Sequence, residues 1–519
     1  MIGRLAELCG FGCEAVGTYT RNGLLSPEPP AVLARVVEAY RRYGVTLATG
    51  LAVGAARWPG RAAVIDDGGT ATFAELDGRA AALAAALHDR YGLGEGRTAA
   101  VLWRNDRGFV EAVAAVSRLG ADLLLLNTGL AAPVLRDVLR REGVDVLLAD
   151  PGLPPVDFPG ARAGDLGALA AAGGPGPPAP RRPGRLVLLT SGTTGVPKGA
   201  GRRLSLLPLA GPFTSMLATV PLRSGEPVLV APPLFHGLGL LWYAAALVLG
   251  CPVVLMRRFD PHAVLAALDR HRAGALVAVP SMLRRLSALR PRPLPHLRAV
   301  VSGGSALPPG LAAAFMDAYG DVLYNLYGST EAGWVTLATP ADLRSAPGTV
   351  GRPTRGAVVR VAGPGGREAA LGETGPLYVG GGLTFSGYTG GGDGADTLDG
   401  LLATGDVGHR DERGLLFVDG RADDMIVSGG ENVFPQEVED VISRLPGVAD
   451  AAVVGVPDEE YGQRLAAYVV PAPGAALAAE ELKRAVKAEL GGFKAPRDVV
   501  FVEEVPRNQT GKVDRSRLP

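Results

Sequence analysis

Cysteine is scarce: Cys9, Cys13 and Cys251 are the only three in 519 residues, and none belongs to a C-x-x-C pair. So small and odd a number excludes a disulfide framework and makes a reducing cytosol the expected compartment. Net charge is missing as well, because 52 Lys and Arg balance 52 Asp and Glu. Without a net positive field nothing draws in a phosphate backbone at long range, so nucleic acid is not expected as a partner. A secretory leader is also lacking, since Glu7 and Glu14 interrupt the first apolar residues, MIGRLAELCGFGCEAVG. The expected location is cytoplasmic.

Long apolar runs are present but broken. Residues 204–222 and 231–256 carry no charge if His236 is neutral, and each exceeds the roughly 18 residues of a membrane span. Pro208 and Pro212 interrupt the first, while Gly237, Gly239, Gly250 and Pro252 divide the second into a short helix and a strand. Both read as buried core, and no transmembrane segment is expected. With 47% hydrophobic and 20% charged residues, the chain is globular rather than disordered.

Residues 1–48 form an extension of unknown role. Within it Val32, Val36, Tyr40 and Tyr43 recur at helical spacing opposite Arg35, Glu38, Arg41 and Arg42. This amphipathic helix is expected to dock on the following domain; few basic residues support the lesser alternative, a peripheral membrane contact. From 62 to 150 helices expected at 73–88, 109–119 and 134–140 alternate with strands at 99–103, 123–126 and 144–148, the signature of a parallel, helix-covered sheet. Residues 151–184 hold too much Pro and Gly for regular structure and read as a surface loop. VVRVAG, PLYVGG and LLFVDG between 350 and 420 read as β-strands, and helices are expected at 436–444 and 479–490.

The strongest local signal is LVLLTSGTTGVPKGA, residues 186–200, where an apolar strand enters a loop of Ser, Thr and Gly that ends on a lysine. Backbone N–H groups at Gly192, Gly195 and Gly199, with the hydroxyls of Thr190, Ser191, Thr193 and Thr194, suit a polyphosphate that Lys198 neutralises. It is not a Walker A loop, which needs Ser or Thr after the lysine where this chain has Gly199. Five more segments follow: SGGSAL (302–307), NLYGSTEAG (325–333), ATGD (403–406), GRADDMIVSGGENVFPQEVE (420–439) and PRNQTGKVDR (506–515).

In this order the six segments resemble the adenylate-forming (AMP-binding) superfamily of acyl-CoA synthetases, nonribosomal peptide adenylation domains and firefly luciferase. The resemblance covers about residues 50–519. It implies an α/β fold: a large N-terminal domain of helix-covered sheets plus a β-rich subdomain (49–420), and a small mobile α+β C-terminal domain (421–519) hinged near Asp423.

It also implies ATP, Mg²⁺ and coenzyme A, and distributes roles among the residues. Tyr327 offers a ring to stack on adenine, with the backbone of Gly303, Gly304 and Ser305 over its other face and Gly328 and Ser329 beside it. Thr330 can bond the α-phosphate, and Glu331 gives Mg²⁺ an oxygen ligand. Asp406 can accept both ribose hydroxyls, and Arg421 can donate to the sugar or a phosphate. The plainer readings are a core tyrosine at 327 and an ordinary salt bridge between Asp406 and Arg421. In the family, the lysine matched by Lys512 reaches the substrate carboxylate and the α-phosphate, and domain rotation then brings the stretch of Ser428, Gly429 and Gly430 to the acceptor thiol.

PPLFHGLGLLWYAAAL (232–247) is similar to the family segment that gates the acid, with His236 as the gate; a satisfied core histidine is the plain alternative. Leu238, Leu240, Leu241 and Trp242 favour a hydrophobic acid, a medium- or long-chain fatty acid first, over acetate or an amino acid. Leu401 and Leu402 depart from the aromatic that usually precedes the ribose aspartate. An acyl carrier protein's phosphopantetheine arm is the alternative acceptor to coenzyme A. A non-catalytic nucleotide-binding or membrane-associated protein is the rival from another class, and it leaves Lys198, Glu331, Asp406 and Lys512 together unexplained.

Overall fold

Strands buried on both faces need helices to carry the chain back over the sheet, and residues 62–330 obey that rule twice. The computed structural model describes the chain except residues 1, 159–160, 164, 173–176, 178, 191–197, 386, 390–395, 429–430, 459–461, 509–511 and 515–516. The backbone alone is described at 2–9, 161–163, 190, 427–428, 431–432 and 462.

The first sheet orders its six strands Ala161–Ala163, Val146–Ala149, Thr98–Leu102, Asp122–Leu125, Leu186–Thr190 and Lys198–Arg202. Every pair is parallel except the last, in which Thr190 lies opposite Lys198. Thr190 therefore stands at the carboxyl edge of a parallel sheet, where open α/β folds bind ligands. In the fourteen-stranded second sheet, Val253–Leu255, Val228–Val230, Ala275–Ala278, Ala299–Gly303 and Leu323–Ser329 are parallel neighbours. Beyond Leu323–Ser329 the pairing turns antiparallel and continues into the β-rich subdomain. Leu401–Arg410 and Leu416–Arg421 pair there, with Asp406 opposite Arg421.

Local chemistry sets the element ends. The helix Phe73–Tyr91 opens on a capping box between Thr72 and Glu75 and closes at Gly92, whose φ of 62° suits glycine. Its Leu76, Ala80, Leu83 and Leu87 are buried at helical spacing, each leucine contributing about 2 kcal/mol. The second uncharged run folds as expected, with the helix Gly237–Val248 before the strand Val253–Leu255; the first forms the helix Leu206–Thr219, which retains Pro212, but is not wholly buried core, because Leu206 and Leu207 at its start are exposed. No described helix is long and apolar enough to cross a membrane.

The expectation for residues 151–184 needs correcting, since that stretch holds the strand Ala161–Ala163 and the helix Leu166–Ala171. Asp165 caps the helix by accepting from the Ala168 N–H, and Leu166 and Leu169 are buried, so a good cap and two apolar anchors outweigh the flanking Pro and Gly.

Three helices precede the first strand: α1 (Ile2–Arg21), α2 (Pro30–Tyr43) and α3 (Leu47–Arg57). Tyr43 of α2 is buried, and its hydroxyl accepts from Arg118 at 2.9 Å, so α2 docks on the large domain. At the other end of the chain, the strands Glu431–Val433, Ile426–Ser428, Gly462–Pro471, Val448–Asp458 and Asp498–Phe501 form a separate sheet. The helices Pro435–Ser443 and Ala479–Leu490 cover it and share its core of Val438, Ile442, Val453, Leu465 and Leu482.

Candidate active site

A cavity of about 2080 Å³ lies where the sheets of the large domain meet the small domain. One end gathers Tyr327, Thr330, Glu331, Asp406, Arg421 and Lys512, drawn from segments up to 185 positions apart in the chain.

Asp406 is the polar hub of that end. It accepts a 2.5 Å hydrogen bond from the Tyr327 hydroxyl, while Arg421 stands 3.4 Å from its other oxygen. Arg421 spends its donors elsewhere too, on the Thr404 carbonyl at 2.8 Å and on Asp423 at 3.0 Å. The Arg421–Asp406 pair is thus long and shared rather than a tight ordinary salt bridge. Burial raises the Asp406 carboxyl above the usual carboxylate range, and Tyr327, Arg421 and Lys512 partly offset that rise. Between them Gly405 takes φ 74°, and a Cβ there would sit 2.7 Å from the Arg421 guanidinium. Asp423 lies in the short 3-10 turn Ala422–Asp424 that joins the two domains.

Glu331 accepts from the Tyr388 hydroxyl at 3.2 Å, and Lys198 Nζ lies 5.4 Å from the centre of the same ring. Burial first, then the Glu331 charge and hydrogen bond, push the Tyr388 phenol up to about 12, so it remains a donor at neutral pH. Tyr388 was not singled out from the sequence; its only signal is a lone Gly-Tyr pair after a glycine-rich strand. Among the described residues no group of three His, Cys, Asp or Glu can hold a metal ion. A lone carboxylate fits Mg²⁺, which keeps waters and takes its remaining oxygens from substrate phosphates.

Lys512 sits in a turn pinched by its own backbone: its N–H donates to Asn508 Oδ1 at 3.1 Å, and the Asn508 N–H donates to its carbonyl at 2.9 Å. It lines the cavity, and its charge bears on both Asp406 and His236. Burial, and then that charge, lower His236 to about 4, which keeps the imidazole neutral. Its Nε2 is buried with no hydrogen-bond partner, and its ring lies 4.6 Å from that of Phe235.

Other expected residues are placed as follows. Lys198, Gly304, Ser305, Gly328 and Ser329 line the cavity, and Ser329 Oγ shapes its turn by accepting from the Ala332 N–H at 3.1 Å. Gly303 is not on the wall; it is buried, with the Leu326 carbonyl 2.9 Å from where a Cβ would stand. Thr190 ends its strand at the carboxyl edge described above, and Ser428 ends the strand Ile426–Ser428. Ser191, Gly192, Thr193, Thr194, Gly195, Gly429 and Gly430 fall outside the described residues.

A cation missed by sequence reasoning also lines the cavity. Arg202 lies four residues beyond Lys198 on the same strand, with Nε and Nη2 buried and without hydrogen-bond partners. Burial lowers its pKa, and the Glu331 charge opposes that shift.

The AMP-binding enzyme family matches residues 51–389, and the AMP-binding enzyme C-terminal domain matches residues 437–512. The chain is 36% identical over 473 residues to a feruloyl-CoA synthase of Amycolatopsis sp, covering 88% of this chain and 95% of that protein. It is 29% identical over 468 residues to the long-chain-fatty-acid–CoA ligase FadD13 of Mycobacterium tuberculosis, covering 86% of this chain and 92% of the relative. Among solved structures, the o-succinylbenzoate coenzyme A synthetase of Bacillus subtilis in complex with ATP and magnesium superimposes with a TM-score of 0.79. That likeness spans 90% of this chain and 98% of the other, at 28% identity.

Proposed function

As the chain belongs to the AMP-binding enzyme family, as an acid–thiol ligase working through an acyl-adenylate, we propose that it joins a hydrophobic carboxylic acid to coenzyme A. A medium- or long-chain fatty acid is the first candidate. The observation that carries this reading is the apolar continuation of the cavity beyond His236, walled by Leu238, Leu240, Leu241 and Phe213. Such a wall rewards apolar contact and offers an amino acid's ammonium group no carboxylate.

In the first half-reaction a carboxylate oxygen of the acid attacks the α-phosphorus of ATP, and the bond to pyrophosphate breaks. Lys512 is the cation beside the forming bond, neutralising charge that grows at phosphorus in the transition state. Thr330 donates to the α-phosphate, Asp406 accepts from the ribose hydroxyls, and Tyr327 holds both the aspartate and the base. Glu331 would hold Mg²⁺, which when bound would neutralise charge on the phosphates. His236, neutral and at the junction, separates the reacting carboxylate from the apolar tail. In the second half-reaction the thiol sulfur attacks the acyl carbon and AMP leaves, after rotation about Asp423 has withdrawn Lys512 and presented the stretch of Ser428.

A second reading, a bulky aromatic acid, is favoured by the unpartnered Nε and Nη2 of Arg202: an aryl acid with an oxygen acceptor satisfies buried donors that an alkyl chain leaves unpaired. The feruloyl-CoA synthase relative points the same way.

The test is incubation of the protein with Mg-ATP and a panel of straight-chain and aryl acids, with and without coenzyme A, followed by mass spectrometry. Acyl-CoA formed from hydrophobic acids is the expected product. Acyl-adenylate that never reaches coenzyme A would assign the acceptor to a carrier protein, and activity confined to acetate or amino acids would overturn the proposal.

A further inference from the structure

The extension before residue 51 lies outside the matched family regions, yet its side chains reach the cavity. Tyr19 of α1, Leu24 of the following loop, and Val36 and Tyr40 of α2 all line it. We propose that this extension is the distal wall of the acid cavity and that Tyr19, against Phe213, sets how long or bulky an acid the enzyme accepts. The inference rests on the hydrophobic-acid reading above and assigns a purpose to residues that reading does not use.

The attachment of α1 is built rather than incidental. The Tyr19 hydroxyl shares a 2.7 Å hydrogen bond with Oγ1 of the fully buried Thr214, in the middle of the helix Leu206–Thr219. Its ring lies 6.1 Å from that of Phe213 on the same helix, so both present carbon to the cavity. Three residues on, the buried Asn22 donates from its side-chain amide to the carbonyls of Leu222 at 2.5 Å and Leu217 at 3.3 Å. Ser224 N–H returns a bond to the Asn22 carbonyl at 2.7 Å. The loop is clamped as well: Arg57 Nε meets Glu28 at 2.9 Å, and its Nη2 donates to the Leu24 carbonyl at 2.9 Å.

These contacts have a chemical consequence. Two polar groups of the wall are already partnered within the protein: the Tyr19 hydroxyl is taken by Thr214, and the Arg57 charge by Glu28. A ligand reaching this end therefore meets apolar surface and two tilted rings, which suits an alkyl or aryl tail and penalises a distal charge. The fixed Tyr19–Phe213 pair limits extent by shape, since close-packed walls do not yield without cost. Removing a ring from such a wall changes selection between acids that differ by a few methylenes by about tenfold or more.

The test compares wild type with Tyr19→Ala, Val36→Trp and Tyr19→Phe over straight-chain acids of increasing length, read as kcat/KM for AMP formation and as affinity for a fluorescent polyene fatty acid. The expected result is a shift of Tyr19→Ala toward longer acids by about tenfold in relative kcat/KM, with the KM for ATP unchanged. Val36→Trp is expected to shift the profile the opposite way and to weaken polyene binding. Tyr19→Phe, which keeps the ring and loses the bond to Thr214, should keep the wild-type profile at reduced thermal stability, separating selection from docking. Unchanged chain-length profiles and polyene affinity in both Tyr19→Ala and Val36→Trp would overturn the proposal. If wild type turns over no hydrophobic acid, the catalytic reading fails, while altered polyene binding in the two variants still supports the wall.

Discussion

Arg284 on the large domain and Asp450 on the small domain form an ion pair at 2.7 Å, and the same guanidinium donates to the Ala449 carbonyl at 3.0 Å. Asp450 is also held by Arg507, five residues before Lys512, at 2.8 Å. The pair thus ties the large domain to the segment that carries the lysine into the cavity.

Removing that tie should act on one half-reaction. A hydrogen-bonded charge contributes about 1.5–3 kcal/mol, so Arg284→Ala should slow adenylation roughly tenfold or more. Pyrophosphate exchange measures that step, and thioester formation from a supplied acyl-adenylate should hold near the wild-type rate. Equal slowing of both would count against a conformation-specific tie.

Asp406 and Tyr327 share the nucleotide role in the proposed reaction. Asp406→Asn removes a charged acceptor and should raise the KM for ATP by about ten- to a hundredfold, whereas Tyr327→Phe loses one neutral donor and should cost about three- to tenfold. Initial rates at varied ATP, with the acid saturating, check both. An Asp406→Asn enzyme with normal ATP kinetics would remove the ribose role.

His236 makes a prediction about acid stability. Its folded pKa, about 4, lies below the ordinary value of 6.5. Between those values the unfolded chain binds a proton that the folded protein refuses, so stability falls as pH drops from 6.5 toward 4 and is fully present above 6.5. Urea midpoints at pH 5 and pH 8 should differ less in His236→Phe than in wild type. An equal difference in both would show that the histidine is not held neutral.

Asn22 gives a check on the extension without reference to activity. Asn22→Leu leaves the Leu217 and Leu222 carbonyls without this donor and should cost about 1–3 kcal/mol, measured by urea denaturation. No loss of stability would mean that α1 is only loosely attached.

Much of this arrangement was legible in the sequence because it depends on local pattern. Leucines and alanines at helical spacing between Phe73 and His88 mark a helix, and the glycines of 237–252 separate a helix from a strand. The short helix Leu166–Ala171 was hidden by the surrounding Pro and Gly, although Asp165 is an ordinary cap. At the site, motif order gave Tyr327, Glu331, Asp406 and Lys512, which the fold brings to one cavity. Tyr388, Arg202, Arg284 and Tyr19 were not legible, because each takes its meaning from a neighbour far away in the chain. Tyr19 meets Thr214 across 195 positions, a pairing that no periodicity encodes.

In the proposed reaction Lys512 serves adenylation and not thioester formation. The most direct measurement takes Lys512→Ala through the two half-reactions separately: pyrophosphate exchange with acid and Mg-ATP, then conversion of a supplied acyl-adenylate with coenzyme A. The first should fall by about a hundredfold or more, as for removal of one transition-state donor, with the second preserved. Equal loss in both, or an undiminished first step, would contradict this role of Lys512.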